Sequence, residues 1–340
     1  MNNFSKKTLT TKRSLTYTYY VSPTGEATAK HPALFFLHGF PDSAHLWQDV
    51  IAALGPVPNK IIVPDCLGYA GTDKPSDPAQ YTYDRQVADL VEILVAEDVS
   101  AAAAYTVIIG HDWGSAIAQR VYLHHRQLFQ GVVLVNTGYI VPSADTFDLA
   151  SVNAFTEKLL GYPQFAYWEF ATADDAAAVT DAHLEQMWLA LHADSPQWMK
   201  TVFCAKDGMR NFLLKGDSTL PLKEYAKKGG FFYQHFMNQF RRENGGFAGA
   251  FQMYKSTANN MQGQAYAAVP HVELKIDVPV LYFICRDDAV CLPELMMEPA
   301  KAAGLVPKLR EVTLDCGHWS PMEKPKEIAA ELNSYLEKEL

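Results

Sequence analysis

The sequence predicts an α/β protein: a mostly parallel, doubly wound sheet with a long helical segment inserted. Three observations predict it. Between residues 33 and 135, short apolar runs alternate with stretches whose apolar residues fall at helical spacing, the pattern of strands joined by crossover helices. From about 142 to 272 the strand pattern stops, and aromatics, alanine and charge take over. At Val278 the apolar runs resume and continue into a closing amphipathic helix.

Residues 14–21 alternate and are rich in Thr and Tyr, which reads as an edge strand. The residues before them are polar, carry Lys6, Lys7, Lys12 and Arg13, and lack the apolar core of a secretory signal. Ala33-Leu34-Phe35-Phe36-Leu37 is an unbroken apolar run, as in a strand buried on both faces. It ends in His38-Gly39-Phe40-Pro41, a tight loop suited to a cis bond before Pro41. Residues 43–54 read as a helix, Ile61-Ile62-Val63 as a buried strand, and 64–75 as a loop punctuated by Gly and Pro. Tyr83, Val87, Leu90, Val91, Leu94 and Val95 form the apolar face of a helix. A strand at 106–109, a helix to about 126 and a strand at 131–135 follow.

Within the insertion, 173–191 reads as one or two helices and 224–243 as another. After it, a strand over 278–284 ends in Arg286-Asp287-Asp288-Ala289-Val290. A short strand over 310–314 ends in Asp315-Cys316-Gly317-His318-Trp319, and 326–340 is a closing helix with Ile328, Leu332 and Leu336 on one face. The expected division is a core of 1–142 and 273–340, with a helical cap of 143–272. An insertion at this point sits above the carboxyl ends of the strands, where open α/β sheets bind ligands.

Composition narrows the class. The chain has 340 residues, 49% of them hydrophobic, enough for a sizeable core in one large domain or two smaller ones. A net charge of −9 and the lack of a basic stripe argue against nucleic acid. No apolar run reaches the length of a membrane span. Five scattered cysteines, Cys66, Cys204, Cys285, Cys291 and Cys316, fit reduced thiols in a cytoplasmic protein better than a disulfide frame. No His-Glu-x-x-His or Cys-x-x-Cys pair suggests a metal. The alanine run at 101–104 is the one low-complexity stretch.

The chemistry gathers around Gly110-His111-Asp112-Trp113-Gly114. An apolar strand runs into a turn with the spacing Gly-x-Nu-x-Gly and then a helix, the nucleophile elbow of α/β-hydrolases, with Asp112 as nucleophile. Such a turn lifts the central side chain above the sheet edge and aims the next N–H, that of Trp113, at the same space. The loop at Phe40 offers a second N–H for an oxyanion. Asp112, then Asp287 or Asp288, then His318 follow the nucleophile–acid–histidine order of that fold, and each follows an apolar strand. His111 and the His124–His125 pair read as structural. An aspartate at the elbow attacks an sp³ carbon and forms an alkyl ester, which a histidine-activated water cleaves. Epoxide opening and halide displacement both fit; the first needs a proton donor, for which a phenol is suited.

With His38-Gly39-Phe40-Pro41, the Asp112 elbow, Asp288-Ala289-Val290-Cys291-Leu292-Pro293 and Asp315-Cys316-Gly317-His318-Trp319, the chain resembles the soluble epoxide hydrolases of the α/β-hydrolase fold over roughly residues 15 to 338. The resemblance implies that fold with a helical cap, hydrolysis of a small apolar epoxide to a vicinal diol, and no cofactor. It selects Asp288 over Asp287 as the acid. It also implies two cap tyrosines that hold and protonate the epoxide oxygen. One is Tyr254, within Gly249-Ala250-Phe251-Gln252-Met253-Tyr254-Lys255. The other falls within 161–170, with Tyr167 chosen and Tyr162 as alternative. Haloalkane and haloacid dehalogenases share the Asp-Trp elbow and are the rival reading; a homodimer is left open.

Overall fold

The protein is described from a computed structural model covering residues 1, 3–99, 105–268 and 273–340. Its strands are β1 (Ser5–Thr10), β2 (Thr16–Val21), β3 (Ala33–Leu37), β4 (Ile61–Pro64), β5 (Thr106–His111), β6 (Phe129–Val135), β7 (Val280–Cys285) and β8 (Leu309–Leu314). They form one eight-stranded sheet in the order β1-β2-β4-β3-β5-β6-β7-β8. β2 runs antiparallel to β1 and β4, and every later pairing is parallel.

Burial explains the sequence pattern. All residues of β3 and β5 are buried, so both read as continuous apolar runs rather than as alternation. The chain passes from β3 to β4 on one side, then returns across β3 to β5 on the other. That reversal opens a crevice at the carboxyl ends of β3 and β5, where connections leave in opposite directions. The loop through Phe40 and Pro41, whose peptide bond is cis, and the turn through Asp112 both rise beside it.

Helices α1 (Gln48–Leu54), α2 (Tyr83–Ala96) and α3 (Trp113–His124) connect the strands. From Gly114 to Leu123 every residue of α3 is buried, because the sheet covers one side of the helix and α2 packs on another. Between β6 and β7 come α4 (Leu149–Leu160), α5 (Ala166–Ala171), α6 (Ala176–Ala182), α7 (Leu184–His192), α8 (Trp198–Val202), α9 (Gly208–Lys215), α10 (Phe231–Gln239), α11 (Gln252–Ala258) and α12 (Met261–Ala268). The helix Pro325–Lys338 closes the chain against α1.

Two expectations need correction. The strand at 14–21 is not the edge: Ser5–Thr10, which reads only as a polar leader, pairs with it in register and takes the edge. Nearly every residue of β1 is exposed, so neither face carries the apolar alternation that marks a strand. The stretch 224–243 is not one helix. It breaks into a 3₁₀ turn at Glu224–Ala226, α10 and a second 3₁₀ turn at Arg242–Asn244, with Gly229 at φ 87 between the first two. In 173–191 there are two helices, and the lone bridge Ala193 to Leu222 is the one β-pairing there among the described residues. The alanine run at 101–104 and the expected cap boundary at 272 lie outside the described residues.

Candidate active site

Asp112 sits at φ 53 and ψ −125, a conformation that side chains with a Cβ rarely adopt. The surrounding glycines permit it. A Cβ on Gly110 would run into the Gly114 carbonyl, and one on Gly114 into the Leu37 carbonyl. Ser115 locks the turn: its hydroxyl donates to the Gly110 carbonyl at 2.6 Å and accepts from the Val135 N–H at 3.1 Å. The Phe40 N–H donates to Asp112 Oδ1 at 2.7 Å. Burial pushes the Asp112 carboxyl above its ordinary range; the His318 charge and the N–H groups of Trp113 and Phe40 pull it back part of the way.

His318 lies beside the carboxylate, Nε2 to Asp112 Oδ2 3.7 Å, close enough for charge attraction and too long for a hydrogen bond. Its Nδ1–H donates to Asp288 Oδ2 at 2.7 Å. Asp288 is fully engaged. Oδ1 accepts the N–H groups of Val290 and Cys291, each at 2.9 Å, and Oδ2 also accepts the Asn136 amide at 2.7 Å. Burial alone would raise this carboxyl, but the His318 charge and these hydrogen bonds outweigh it and hold Asp288 well below the usual carboxylate range. The imidazole is held the opposite way: burial lowers its pKa, and the Asp288 charge and hydrogen bond more than reverse that, leaving it well above its ordinary value. Asp287 is exposed and points its backbone N–H at the Cys316 carbonyl.

The tyrosines of the helical segment face this pair. Tyr254, on α11, packs edge-on against Phe40 and Trp113 with ring centroids 5.1 and 5.3 Å away, so its ring lies over the two residues whose N–H groups flank Asp112. Tyr167, on α5, packs against Tyr254 at 5.7 Å. Both rings, with Asp112 and His318, line one small void. Burial holds both phenols far above their ordinary pKa, so both stay protonated. Tyr162 is elsewhere: its hydroxyl donates to the Ala289 carbonyl at 3.2 Å, and Lys200 covers its ring.

A cavity of about 370 Å³ leads away from Asp112 along α3, walled by Trp113, Phe147, Phe165, Trp168, Val290 and Met296. Apolar surface predominates, and the volume lies at the lower end of the range of about 300–1,000 Å³ usual for ligand sites. Asp288, Cys291 and His318 bring three potential ligand atoms within 4.8 Å of one another. Two of those atoms belong to the hydrogen-bonded Asp288–His318 pair, and a metal would have to displace that bond.

Three functional neighbours escape the sequence reading. Asn136, at φ 66 just past β6, carries its amide to Asp288 and accepts the Ser320 hydroxyl at 2.8 Å. It shares the signal that marks the triad, a polar residue following a buried strand. His111, assigned a structural part, donates from Nε2 to the His318 carbonyl at 2.8 Å and so fixes the loop that bears the histidine. Asp42, buried just past Pro41, is pushed up to about 8 by burial, an environment no local pattern announces.

The comparisons agree with this architecture. Residues 32–325 match the family model described as alpha/beta hydrolase fold. The chain is 24% identical over 327 residues to the Bifunctional epoxide hydrolase 2 of Rattus norvegicus, matching 91% of this chain and 52% of that protein, so it spans about half of that relative's length. It is 27% identical over 312 residues to Epoxide hydrolase A of Mycobacterium tuberculosis, covering 90% of each. The solved structure of Epoxide Hydrolase A from Mycobacterium thermoresistibile superposes with a TM-score of 0.74 at 24% identity over 98% of both chains. With a strand-borne elbow, a parallel sheet and a family match over most of its length, the chain belongs to the α/β-hydrolase fold family.

Proposed function

We propose that the protein is an epoxide hydrolase that converts a small, largely apolar epoxide and water to a vicinal diol through an ester on Asp112. One observation carries the reading: a carboxylate, not a hydroxyl, stands on the elbow and is faced by two buried, protonated phenols. The epoxide hydrolase names of the relatives support it.

The steps follow from the geometry. Asp112 Oδ1 is engaged by the Phe40 N–H, which leaves Oδ2 to attack an epoxide carbon. The ring C–O bond breaks, and Tyr254 or Tyr167 gives its proton to the leaving oxygen. The product is a neutral hydroxyalkyl ester. Loss of the Asp112 charge removes one anion from beside His318, so the imidazolium passes its proton, through water, to the phenolate and becomes a base. His318 Nε2 then takes a proton from water as the water oxygen attacks the ester carbonyl. Charge moves to Oδ1, where the N–H groups of Phe40 and Trp113 stabilise it. Collapse breaks the bond between the carboxyl carbon and the alkyl oxygen; the departing alkoxide takes the proton that the attacking water left on the Asp112 carboxyl, so the diol leaves and Asp112 is ionised again. Asp288 keeps the Nδ1–H tautomer and steadies the imidazolium. Residues 143–272 act as a cap over a core of 1–142 and 273–340, and keep the first step away from bulk water. The five buried free cysteines suit a cytoplasmic setting. No helix among the described residues is long and apolar enough to cross a membrane. A homodimer is measured by mass in solution.

A single turnover in ¹⁸O-labelled water tests the chemistry. The first diol is expected to carry unlabelled oxygen from Asp112; label in all of it would overturn the ester. A second reading, displacement of halide from a haloalkane or haloacid, has one observation in its favour. The buried indole N–H groups of Trp113 and Trp168, which wall the cavity, have no acceptor among the described residues. Halide release from a haloalkane, assayed beside an aryl epoxide, separates the two.

A further inference from the structure

Helix α3 carries a second chemical group into the cavity. Asp112 is its N-cap, and Trp113, Ala116 and Arg120 follow on the face that lines the same space. Eight residues at about 1.5 Å each place Arg120 about 12 Å along the axis from Asp112, and helical side chains lean back toward the N-terminus, shortening the gap. The cavity therefore has a nucleophile at one end and a guanidinium at the other.

That guanidinium is buried, with 7% of Arg120 exposed. One nitrogen donates to the Ile140 carbonyl at 2.9 Å, and the group lies 5.0 Å from the centre of the Tyr83 ring. No carboxylate pairs with it among the described residues. Its titratable neighbours Tyr83, Tyr139 and Tyr266 are neutral phenols, and burial weakens its hold on the proton. Besides Asp112, the one acid lining the cavity is Asp145, exposed and already bonded by the Ser143 hydroxyl at 2.6 Å. Asp84 lines a smaller void together with Arg120, and its Oδ1 is buried without a hydrogen bond, but no ion pair joins the two. Buried cations are usually paired, since an unpaired one costs much of its hydration. Here the available partner is whatever enters the cavity.

We propose that Arg120 is a specificity residue that binds a carboxylate on the substrate, so that the preferred epoxides are compact acids with the carboxylate several bonds from the ring. The idea rests on the epoxide hydrolase reading for the chemistry and on Arg120 alone for the binding. A bidentate guanidinium–carboxylate pair would also align the epoxide carbon over Asp112.

The test compares para-oxiranylbenzoate with the neutral para-methylstyrene oxide, and adds para-ethylbenzoate, which has no epoxide, as a binding probe followed by calorimetry. Wild type is expected to favour the acid in kcat/KM and to bind para-ethylbenzoate. In Arg120→Met the acid-over-neutral ratio is expected to fall roughly 10- to 100-fold, the loss of one charge-assisted pair, and the probe to stop binding. Arg120→Lys should restore part of both. If wild type shows no preference for the acid and does not bind the probe, the anchor is wrong, whatever happens to Arg120→Met. An unchanged ratio in a folded Arg120→Met overturns it equally. If the probe binds through Arg120 but neither epoxide is turned over, the anion site stands and the epoxide hydrolase reading falls.

Discussion

In the proposed role Asp112 can attack only while it is ionised, and its burial moves that requirement to higher pH than for an exposed carboxylate. The rate of ester formation is therefore expected to fall as pH drops through this raised value. Ester hydrolysis should fall on the acid side for a different reason, protonation of His318. Stopped-flow tryptophan fluorescence, with Trp113 and Trp168 beside the reacting centre, would resolve the two limbs; coincident limbs would argue against two steps. The Asp288–His318 pair also sets stability. The Asp288 pKa is depressed, so its contribution is present above the ordinary carboxylate range of about 4 and lost as pH falls through the lower folded value. The His318 pKa is raised, so its contribution is full below about 6.5 and lost as pH rises through the higher folded value. Asp288→Asn is expected to lower kcat by about 10³- to 10⁴-fold, by analogy with loss of the orienting acid in other triads, and Asp287→Asn by less than threefold. Equal losses would remove Asp288 from its role.

The same logic extends to the helices that carry the phenols. Both α5 and α11 present a tyrosine to Asp112 while their other buried side chains pack inside the helical segment. If both phenols hold the epoxide oxygen, Tyr254→Phe and Tyr167→Phe each slow alkylation by about 10- to 1,000-fold, and the double change loses nearly all of it. Tyr162→Phe, whose hydroxyl serves the Ala289 carbonyl, should stay within about threefold; single-turnover alkylation rates on an aryl epoxide decide. In His318→Gln, alkylation continues and hydrolysis stalls, so the Asp112 ester should accumulate and appear in the intact mass. At the elbow, Gly114→Ala would push α3 off β3 through the Leu37 carbonyl. A loss of stability of about 1–3 kcal/mol is expected in urea unfolding, with activity falling further because the elbow aims Asp112.

Across the molecule, stability is graded from the sheet centre outward. β3 and β5 are wholly buried, whereas β1 is exposed and β8 only partly covered. Amides of β3 and β5 should exchange only through global unfolding, and those of β1 earlier. The helical segment is tied to the sheet side by polar contacts at its margins: Gln239 to the Pro41 carbonyl at 3.1 Å, Tyr69 to the Ala250 carbonyl at 3.3 Å, and Lys223 to Glu323 at 2.5 Å. The short helices α6, α8 and α9 of this segment bury few of their residues, unlike the strands at the sheet centre. Hydrogen exchange in α6, α8 and α9 is therefore expected to be faster than in β3 and β5; equal protection would argue against a cap that opens.

Strands β3, β5, β6 and β7 were legible because burial on both faces leaves an apolar run that no exposed segment imitates, whereas β8, half covered, shows only a short and mixed one. The elbow was legible because its backbone path admits only glycine at its flanks. The order of nucleophile, acid and histidine follows from which strands end at one sheet edge. Local pattern could not reveal β1, which is a strand only because β2 offers it a partner. The break ahead of α10 does have a local signal, Gly229-Gly230, where Gly229 takes φ 87. Local pattern could not choose between Tyr162 and Tyr167 or show that Asn136 feeds Asp288, since those depend on which side chains meet across 100 or more residues of chain. The charge on Arg120 is plain in the sequence, but its burial without a carboxylate partner exists only once α3 is packed between the sheet and the cavity.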